Sequence, residues 1–393
     1  MSASDASVFE HAPWMTLDDA TLEAPRAVPT MLQPAERRLY LWLARDWAQG
    51  AGAIVDLGCF VGGSTALLAE GVRQAGRDGL IHAYDAFQIS EELKERYLYA
   101  HGVDSFEGED MLPIARELLE PWGEMVALHP GRIEAQEWTG GPIEILALDA
   151  SKTAETMDQM AAIFFPHLIP GRSVIVQQDF LHWKQPWVAV QMARMPDHFR
   201  PLARAPRDSV AFLCTAEVDA TALEAGRCAV LSDAEMRADL TALRKRMRGL
   251  GVGKLLRELD EAVALNPGRR GAAGMTVRPR RQRALTAPGL GSGQARRPCP
   301  LAVDDKVFRQ RQDGVAVPVH RIEDRARHPG VRKESAADEG PFGHLPAKGG
   351  DRGPIGRGID HGEDRLCLVG DDAVPHVFLQ GQGARLHPHR WRG

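Results

Sequence analysis

Cysteine is scarce in this chain, and the five cysteines that occur are scattered without CxxC or any other metal-binding spacing. The sequence therefore predicts reduced thiols and argues against a disulfide scaffold. Apolar runs are short as well, and none approaches the roughly 18 residues that a membrane-spanning helix needs. The N-terminus is acidic and lacks the basic-then-apolar order of a signal peptide. Together these absences predict a soluble cytoplasmic protein with no membrane partner.

The composition changes sharply near residue 266. Residues 1–266 carry 25 Lys and Arg against 39 Asp and Glu, whereas residues 267–393 carry 23 against 14. The second part also holds 12 Pro and 20 Gly, a level typical of low-complexity sequence. A disordered basic tail, a degenerate second domain and a reading frame entered after a frameshift are the three interpretations. The first and third are favoured, since no sustained period of 2 or 3.6 residues occurs there and no motif supports nucleic-acid binding.

Apolar runs alternate with helical patterns over the middle of the chain. The runs are AIVDL, LIHAYD, MVALHP, IEILAL and SVIVQQ, and amphipathic segments separate them. This βαβ alternation predicts an α/β protein with a doubly wound, mostly parallel sheet. The later run VAFLCT, at residues 210–215, predicts one more strand.

The same patterns divide the chain before the tail into three segments. Residues 1–30 are mixed polar and predict a loose N-terminal arm, and residues 31–215 are the predicted α/β domain. Residues 216–266 predict a helical extension, in which Ser232-x-x-Glu235 opens an amphipathic helix as a capping box. This extension is either a helical hairpin appended to the domain or the contact of a homodimer, and the sequence does not choose between them.

One stretch, AGAIVDLGCFVGGSTA, combines a buried strand, a Gly-rich turn and the start of a helix. Such a turn suits an anionic or polar ligand, because glycines let the backbone approach and the first helical N–H groups point at it. Gly58, Gly62 and Gly63 do not follow the G-x-G-x-x-G order of dinucleotide-binding folds. Asp56 precedes Gly58 by two residues, and Asp85 ends the next strand 23 residues after Gly62. That interval is typical of an acid that accepts hydrogen bonds from ribose hydroxyls.

The order acid-x-Gly-x-x-x-Gly resembles the S-adenosylmethionine (SAM) loop of class I methyltransferases. The resemblance covers about residues 33–215 and implies a Rossmann-like methyltransferase fold, an antiparallel hairpin edge and SAM as the cofactor. It implies that the following residues contact SAM: Asp56, Gly58, Cys59, Gly62, Ser64, Asp85 and Ala86, with Glu134 and Gln136 toward the adenine. A tight turn in an unrelated α/β protein is the alternative.

Two later segments resemble the catechol-type and macrocin-type O-methyltransferases. They are Asp149-Ala-Ser-Lys152 after the fourth strand and Gln178-Asp179 after the fifth. In those families an acid after the fourth strand and an acid or amide pair after the fifth hold a divalent cation. The resemblance implies Asp149 and Asp179 as ligands of Mg²⁺, and a small-molecule acceptor such as a sugar hydroxyl. Gln178 stands where those families carry Asp, and a neutral amide weakens a Mg²⁺ site. Loose binding and absence of the metal both stay open, with absence favoured.

The catalytic prediction follows from the chemistry of methyl transfer. A hydroxyl acceptor must be aligned with the methyl group and must lose its proton. The candidate catalytic residues are Asp149, Lys152, Asp179 and His182, of which the last three are candidate bases. A SAM-binding or Rossmann-like regulatory module without catalysis is the alternative, and the amide at position 178 keeps it open. A nicotinamide-dependent enzyme is disfavoured by the missing dinucleotide fingerprint.

Overall fold

A seven-stranded sheet organises the described part of the chain. The computed structural model describes residues 5–279, so the predictions made for residues 280–393 lie outside the described residues. The strands are β1 (Ala53–Leu57), β2 (Ile81–Asp85), β3 (Val126–Pro130), β4 (Ile143–Leu148), β5 (Val174–Gln177), β6 (Phe199–Ala205) and β7 (Ser209–Cys214). Their order across the sheet is β3-β2-β1-β4-β5-β7-β6.

Strands β1 to β5 run parallel, while β7 pairs antiparallel with β5 and β6 pairs antiparallel with β7. The central strand β4 is buried at every position, as expected where helices cover both faces of a sheet. The predicted doubly wound, mostly parallel sheet of the Rossmann-like methyltransferase type is confirmed. Strand β6 is not indicated by the sequence, because it contains Pro201 beside an irregularity in its pairing with β7.

The helices begin where local chemistry favours a start. They are α1 (Pro34–Trp42), α2 (Gly63–Gln74), α3 (Glu91–Tyr97), α4 (Leu112–Leu118), α5 (Ala154–Phe164), α6 (Pro186–Arg194), α7 (Ala220–Gly226), α8 (Asp233–Arg246) and α9 (Gly253–Leu265), joined by short 3₁₀ segments and a π-helical turn (Leu43–Trp47). Helix α1 has Pro34 at its first position, and the Glu36 carboxylate accepts the backbone N–H of Gln33 at 2.8 Å. Helix α8 begins at the predicted capping box, in which Ser232 and Glu235 bind each other's backbone N–H groups. No helix among these combines the length and hydropathy that crossing a bilayer requires.

The N-terminal arm is packed onto one face of the sheet. Phe9 and Trp14 are each 1% exposed, and they share a hydrophobic core with α1 and α2. The ring of Phe9 lies 5.1 Å from the rings of both Trp42 and Trp47, centroid to centroid. The prediction of a loose arm is wrong, because two buried aromatic side chains anchor a segment whose overall composition is polar.

The helical extension covers the other face of the sheet. Helices α7, α8 and α9 all contact α6, and α7 also contacts α5. The side chain of Asp158 in α5 accepts the backbone N–H groups of Cys228 and Ala229, both at 2.9 Å. This carboxylate therefore joins the extension to the α/β domain.

The folded chain continues beyond the predicted boundary at residue 266. Ala272 and Met275 are buried in the same core as α5 and α6. The side chain of Asn266 accepts the backbone N–H groups of Thr276 and Val277 and donates to the carbonyl of Val277. The boundary drawn from the Pro, Gly and Arg content is therefore wrong for residues 267–279, because a few buried side chains suffice to fix such a segment.

Candidate functional site

The four strand-end acids lie along one edge of the sheet. Asp56 and Asp85 occupy the last positions of β1 and β2, while Asp149 follows β4 and Asp179 follows β5. The carboxyl ends of parallel strands meet at a common edge, which is where open α/β sheets bind their ligands. We describe first the part of this edge around β1 and β2, and then the part around β4 and β5.

The loop between β1 and α2, residues 58–63, depends on glycine for its path. Gly58 and Gly62 have φ angles of +89° and +98°, in the region that side chains disfavour. A Cβ on Gly58 would lie 2.9 Å from the carbonyl carbon and oxygen of Asp149. A Cβ on Gly62 would lie 2.5 Å from the side chain of Leu119. The glycines thus bring the loop close to the chain that follows β4.

Asp85 fixes the backbone of two strained residues. Its Oδ2 accepts the N–H of Phe60 at 2.9 Å, and its Oδ1 accepts the N–H of Phe87 at 2.8 Å. Phe60 and Phe87 have φ angles of +55° and +51°, uncommon values for bulky residues that cluster at functional sites. Burial raises the pKa of Asp85, and these backbone hydrogen bonds oppose the rise. Each carboxylate oxygen has a second lone pair, so Asp85 retains capacity to accept from a ligand hydroxyl.

Asp56 lies beneath the loop. It is 2% exposed, and its Oδ2 accepts the hydroxyls of Ser64 and Thr65, both at 2.7 Å. Burial raises its pKa to about 6, while the two hydroxyl groups oppose that rise. Cys59 is also buried, and its backbone N–H donates to the carbonyl of Tyr84. These residues therefore shape the loop and the first turn of α2 from below.

The predicted adenine contacts follow β3 at the same edge. Glu134 forms an ion pair with Arg132, and the Gln136 side chain donates to the carbonyl of Pro130 at 3.4 Å. The N–H of Gly131 donates to the carbonyl of Asp85 at 2.9 Å, which joins this turn to the end of β2. Ala86, which immediately follows Asp85, lies at the same junction and is half-buried.

A lysine joins the two acids that follow β4 and β5. The Lys152 ammonium donates to Asp149 Oδ1 at 3.0 Å and to Asp179 Oδ2 at 3.1 Å. The Gln185 side-chain amide also donates to Asp179 Oδ2. The backbone N–H of His182 donates to the carbonyl of Asp179 at 3.0 Å, so this histidine follows in a tight turn. The structure thus brings all four candidate catalytic residues to one place.

The electrostatics of this cluster separate its members. Burial lowers the pKa of Lys152, but the Asp149 and Asp179 carboxylates outweigh burial and raise that pKa to about 12. Burial raises the pKa of Asp149 to about 7, with Lys152 opposing the rise and Asp179 adding to it. Burial lowers the pKa of His182, so its imidazole is neutral at pH 7. Lys152 is therefore a cation at neutral pH, which removes it as a base in this state.

Four side chains behind this cluster escaped the sequence analysis. Tyr40 of α1 is buried, and its hydroxyl donates to Gln178 Oε1 at 2.9 Å. The Ser209 hydroxyl lies 2.5 Å from Glu36 Oε1 and 3.1 Å from the main-chain oxygen of Gln178. With Gln185, these residues hold the segment after β5 in position. No sequence motif marks them; an acid and a tyrosine on the apolar face of α1 were the available signal.

A C-terminal strap, residues 270–279, holds the lysine from its main-chain side. The N–H of Ala272 donates to the carbonyl of Lys152 at 2.9 Å, and the N–H of Ala154 donates to the carbonyl of Arg270 at 2.8 Å. Thr153 and Gly271 form an antiparallel bridge between these two bonds. The segment assigned to the low-complexity tail therefore begins as part of the site.

A divalent cation does not fit the donor set after β4 and β5. Mg²⁺ requires near-octahedral oxygen ligands at about 2.1 Å. The two candidate ligands, Asp149 and Asp179, share the Lys152 ammonium instead, and the side-chain oxygen of Gln178 accepts from Tyr40. Within residues 5–279, no group of three or more His, Cys, Asp or Glu is placed to hold a metal ion. The geometry therefore gives the predicted Mg²⁺ site no support.

Comparison with known proteins returns only distant structural matches. No protein-family model and no curated protein matches this chain. The methyltransferase PaMTH1 of Podospora anserina, solved with bound SAH, is 17% identical over 54% of this chain and 88% of its own, with a TM-score of 0.34. CalS11, a TDP-rhamnose 3′-O-methyltransferase of calicheamicin biosynthesis, is 15% identical over 54% and 93%, with a TM-score of 0.37. Cofactor-bound Rv0187 from MTB is 18% identical over 55% and 98%, with a TM-score of 0.32. Similarities this low assign no function, and the strand order itself carries the fold assignment.

Proposed function

We propose that this protein is a class I SAM-dependent methyltransferase that transfers a methyl group to a hydroxyl of a small molecule. The observation that carries the proposal is the clamp between Asp85 and the 58–63 loop. Asp85 holds Phe60 and Phe87 in strained backbone conformations at the ligand-binding edge of the sheet. A nucleoside ligand explains the need for a carboxylate and a glycine-rich loop at this junction.

On the donor side, the proposal assigns each residue a separate task. Asp85 accepts the ribose hydroxyls, and Gly58, Gly62 and Ser64 line the path of the methionine end of SAM. Asp56 and Cys59 act from beneath, since both are buried under the loop. Three further residues, Ala86, Glu134 and Gln136, face the adenine from the ends of β2 and β3.

On the acceptor side, the proposed roles follow charge and hydrogen bonding. Lys152 donates to the acceptor oxygen, because it is a hydrogen-bond donor to two carboxylates already and is a poor base in that setting. His182 is the proposed base, with Asp179 holding the turn that carries it. Asp149 positions the ammonium.

Calorimetric titration with SAM, S-adenosylhomocysteine and NAD⁺ tests the donor side. We expect binding of the first two and none of the third, and the Asp85→Ala variant should bind SAM at least tenfold more weakly. Binding of NAD⁺ alone would contradict the proposal. Binding of SAM without methylation of any metabolite would instead favour a regulatory module.

Labelled SAM supplied with a cell extract identifies the acceptor and tests the acceptor side. We expect Asp149→Ala and Asp179→Ala to bind SAM as the wild type does and to give no labelled product. Unchanged turnover in either variant would remove that residue from the site. Cytoplasmic location and a homodimer formed through the extension remain predictions, to be checked by cell fractionation and by light scattering.

A further inference from the structure

The position after β4 and β5 is built around a cation that belongs to the chain itself. The Lys152 ammonium lies 3.0 Å from Asp149 Oδ1 and 3.1 Å from Asp179 Oδ2, so it bridges the two carboxylates. These are the two acids that the resemblance to catechol-type enzymes assigns to a divalent cation. An ammonium in this place neutralises one of the two negative charges and makes two charge-assisted hydrogen bonds.

Gln178 gives an independent indication against a metal ligand at this place. A cation would need the side-chain oxygen of Gln178, but the buried Tyr40 hydroxyl donates to that oxygen at 2.9 Å. Ser209 lies 3.1 Å from the main-chain oxygen of the same residue. With the oxygen engaged toward α1, the Nε2 group is the part of the amide that remains for a ligand, and an amide nitrogen donates hydrogen bonds and binds no Mg²⁺.

The neighbouring contacts make the arrangement a fixed one. Gln185 donates to the same oxygen of Asp179 that Lys152 contacts, and the C-terminal strap holds the Lys152 carbonyl through the N–H of Ala272. The lysine is therefore positioned at both its main chain and its ammonium. Within residues 5–279 its ammonium makes two hydrogen bonds, so one of its three N–H groups remains to donate.

We propose that the Lys152 ammonium permanently occupies the cation position of this site, and that its third N–H and the Nε2 group of Gln178 bind oxygen atoms of the acceptor. The second half of the proposal rests on the proposed methyltransferase function, whereas the first half stands without it. Two converging donors select an acceptor with adjacent oxygen lone pairs, such as a diol or a hydroxy-carbonyl compound. They exclude a protonated amine, which has no lone pair to offer and is repelled by the ammonium.

Binding of Mn²⁺ to the full chain, followed by electron paramagnetic resonance, tests the first half without any acceptor. Removing the ammonium and adding a carboxylate in the double variant Lys152→Ala/Gln178→Asp should create a site for this oxygen-seeking cation. We expect that variant to bind Mn²⁺ at least tenfold more tightly than the wild type. Adding Asp149→Asn should abolish the gain, and Lys184→Ala should behave as the wild type.

The opposite result is equally clear. Wild-type protein that binds Mn²⁺ as tightly as the double variant, and loses it on Asp149→Asn, would overturn the proposal. If circular dichroism shows that the double variant does not fold, Lys152→Gln supplies the same comparison, since it removes the charge at similar volume. Lys152→Arg retains a cation and should keep Mn²⁺ binding as weak as in the wild type.

The labelled product of the extract assay tests the second half. The methyl group should be found on oxygen, and its transfer should be insensitive to EDTA. An N-methylated product, or loss of transfer on chelation, would refute the acceptor assignment. Absence of both SAM binding and product would refute the methyltransferase function instead, while the Mn²⁺ comparison would still decide the cation question.

Discussion

Replacing Glu36 by Gln should make the protein more stable at alkaline pH. Glu36 is 3% exposed, and burial raises its pKa from 4.5 to about 7, with the hydrogen bonds from Ser209 and Gln33 opposing the rise. The protonated acid can donate to the Ser209 hydroxyl while accepting the N–H of Gln33. A glutamine amide reproduces both hydrogen bonds without a proton to lose.

The magnitude follows from linkage. Below pH 4.5 the Glu36 carboxyl is protonated in both the folded and the unfolded chain, so it adds no pH dependence. Between pH 4.5 and about 7 the unfolded chain releases its proton first, so the free energy of unfolding falls as the pH rises. At 1.36 kcal/mol per pKa unit, the loss reaches at most ~3.4 kcal/mol above pH 7.

Urea unfolding at pH 5, 6, 7 and 8 measures this difference. We expect E36Q to exceed the wild type by about 2–3 kcal/mol at pH 8 and by less than about 0.5 kcal/mol at pH 5. Glu92→Gln, on the exposed side of α3, is the matched control and should leave the pH dependence unchanged. Parallel stability curves for E36Q and the wild type would refute the reasoning, because they would mean that Glu36 titrates alike in both states.

Three further changes probe the loop, the strap and the tail. Gly58→Ala should lose at least about 2 kcal/mol of stability and most SAM affinity, whereas Gly76→Ala shares a positive φ but meets no atom within 4 Å and should lose about 1 kcal/mol with SAM affinity retained. Ala272→Pro removes the N–H that binds the lysine carbonyl and should lower stability by about 1–3 kcal/mol in urea unfolding; an unchanged midpoint would contradict the strap's role. Deleting residues 280–393 should leave unfolding and SAM titration unchanged, whereas a longer deletion that also takes Ala272 should destabilise the protein.

The sequence predicts the sheet well because its strands are buried on both faces. Continuous apolar runs such as IEILAL have few alternatives once turns bound them, and each one lies in a parallel strand of the structure. Strand β6 reads FRPLARA, in which Pro201 and two arginines hide an edge strand. The pattern therefore identifies the centre of the sheet and misses its edge.

The site is predictable only as far as strand ends reveal it. Asp149 and Asp179 are found because each follows a strand, and their proximity then follows from parallel topology. Tyr40 and Ser209 lie far from them in sequence, and their contacts with Gln178 depend on how α1 and β7 pack. The strap was hidden for a related reason, since composition averages over residues and overlooks the single buried Ala272.

The contact between Ala272 and Lys152 also governs the order in which the site is completed during translation. The strap is synthesised about 120 residues after the lysine, which corresponds to roughly 6–24 s at about 5–20 residues per second. During that interval the nascent chain already contains every strand of the sheet, while α5 and α6 lack the helices that cover them. Acceptor-side geometry is thus the last feature to form, and a ribosome paused before codon 272 would carry a sheet whose cation has no fixed position.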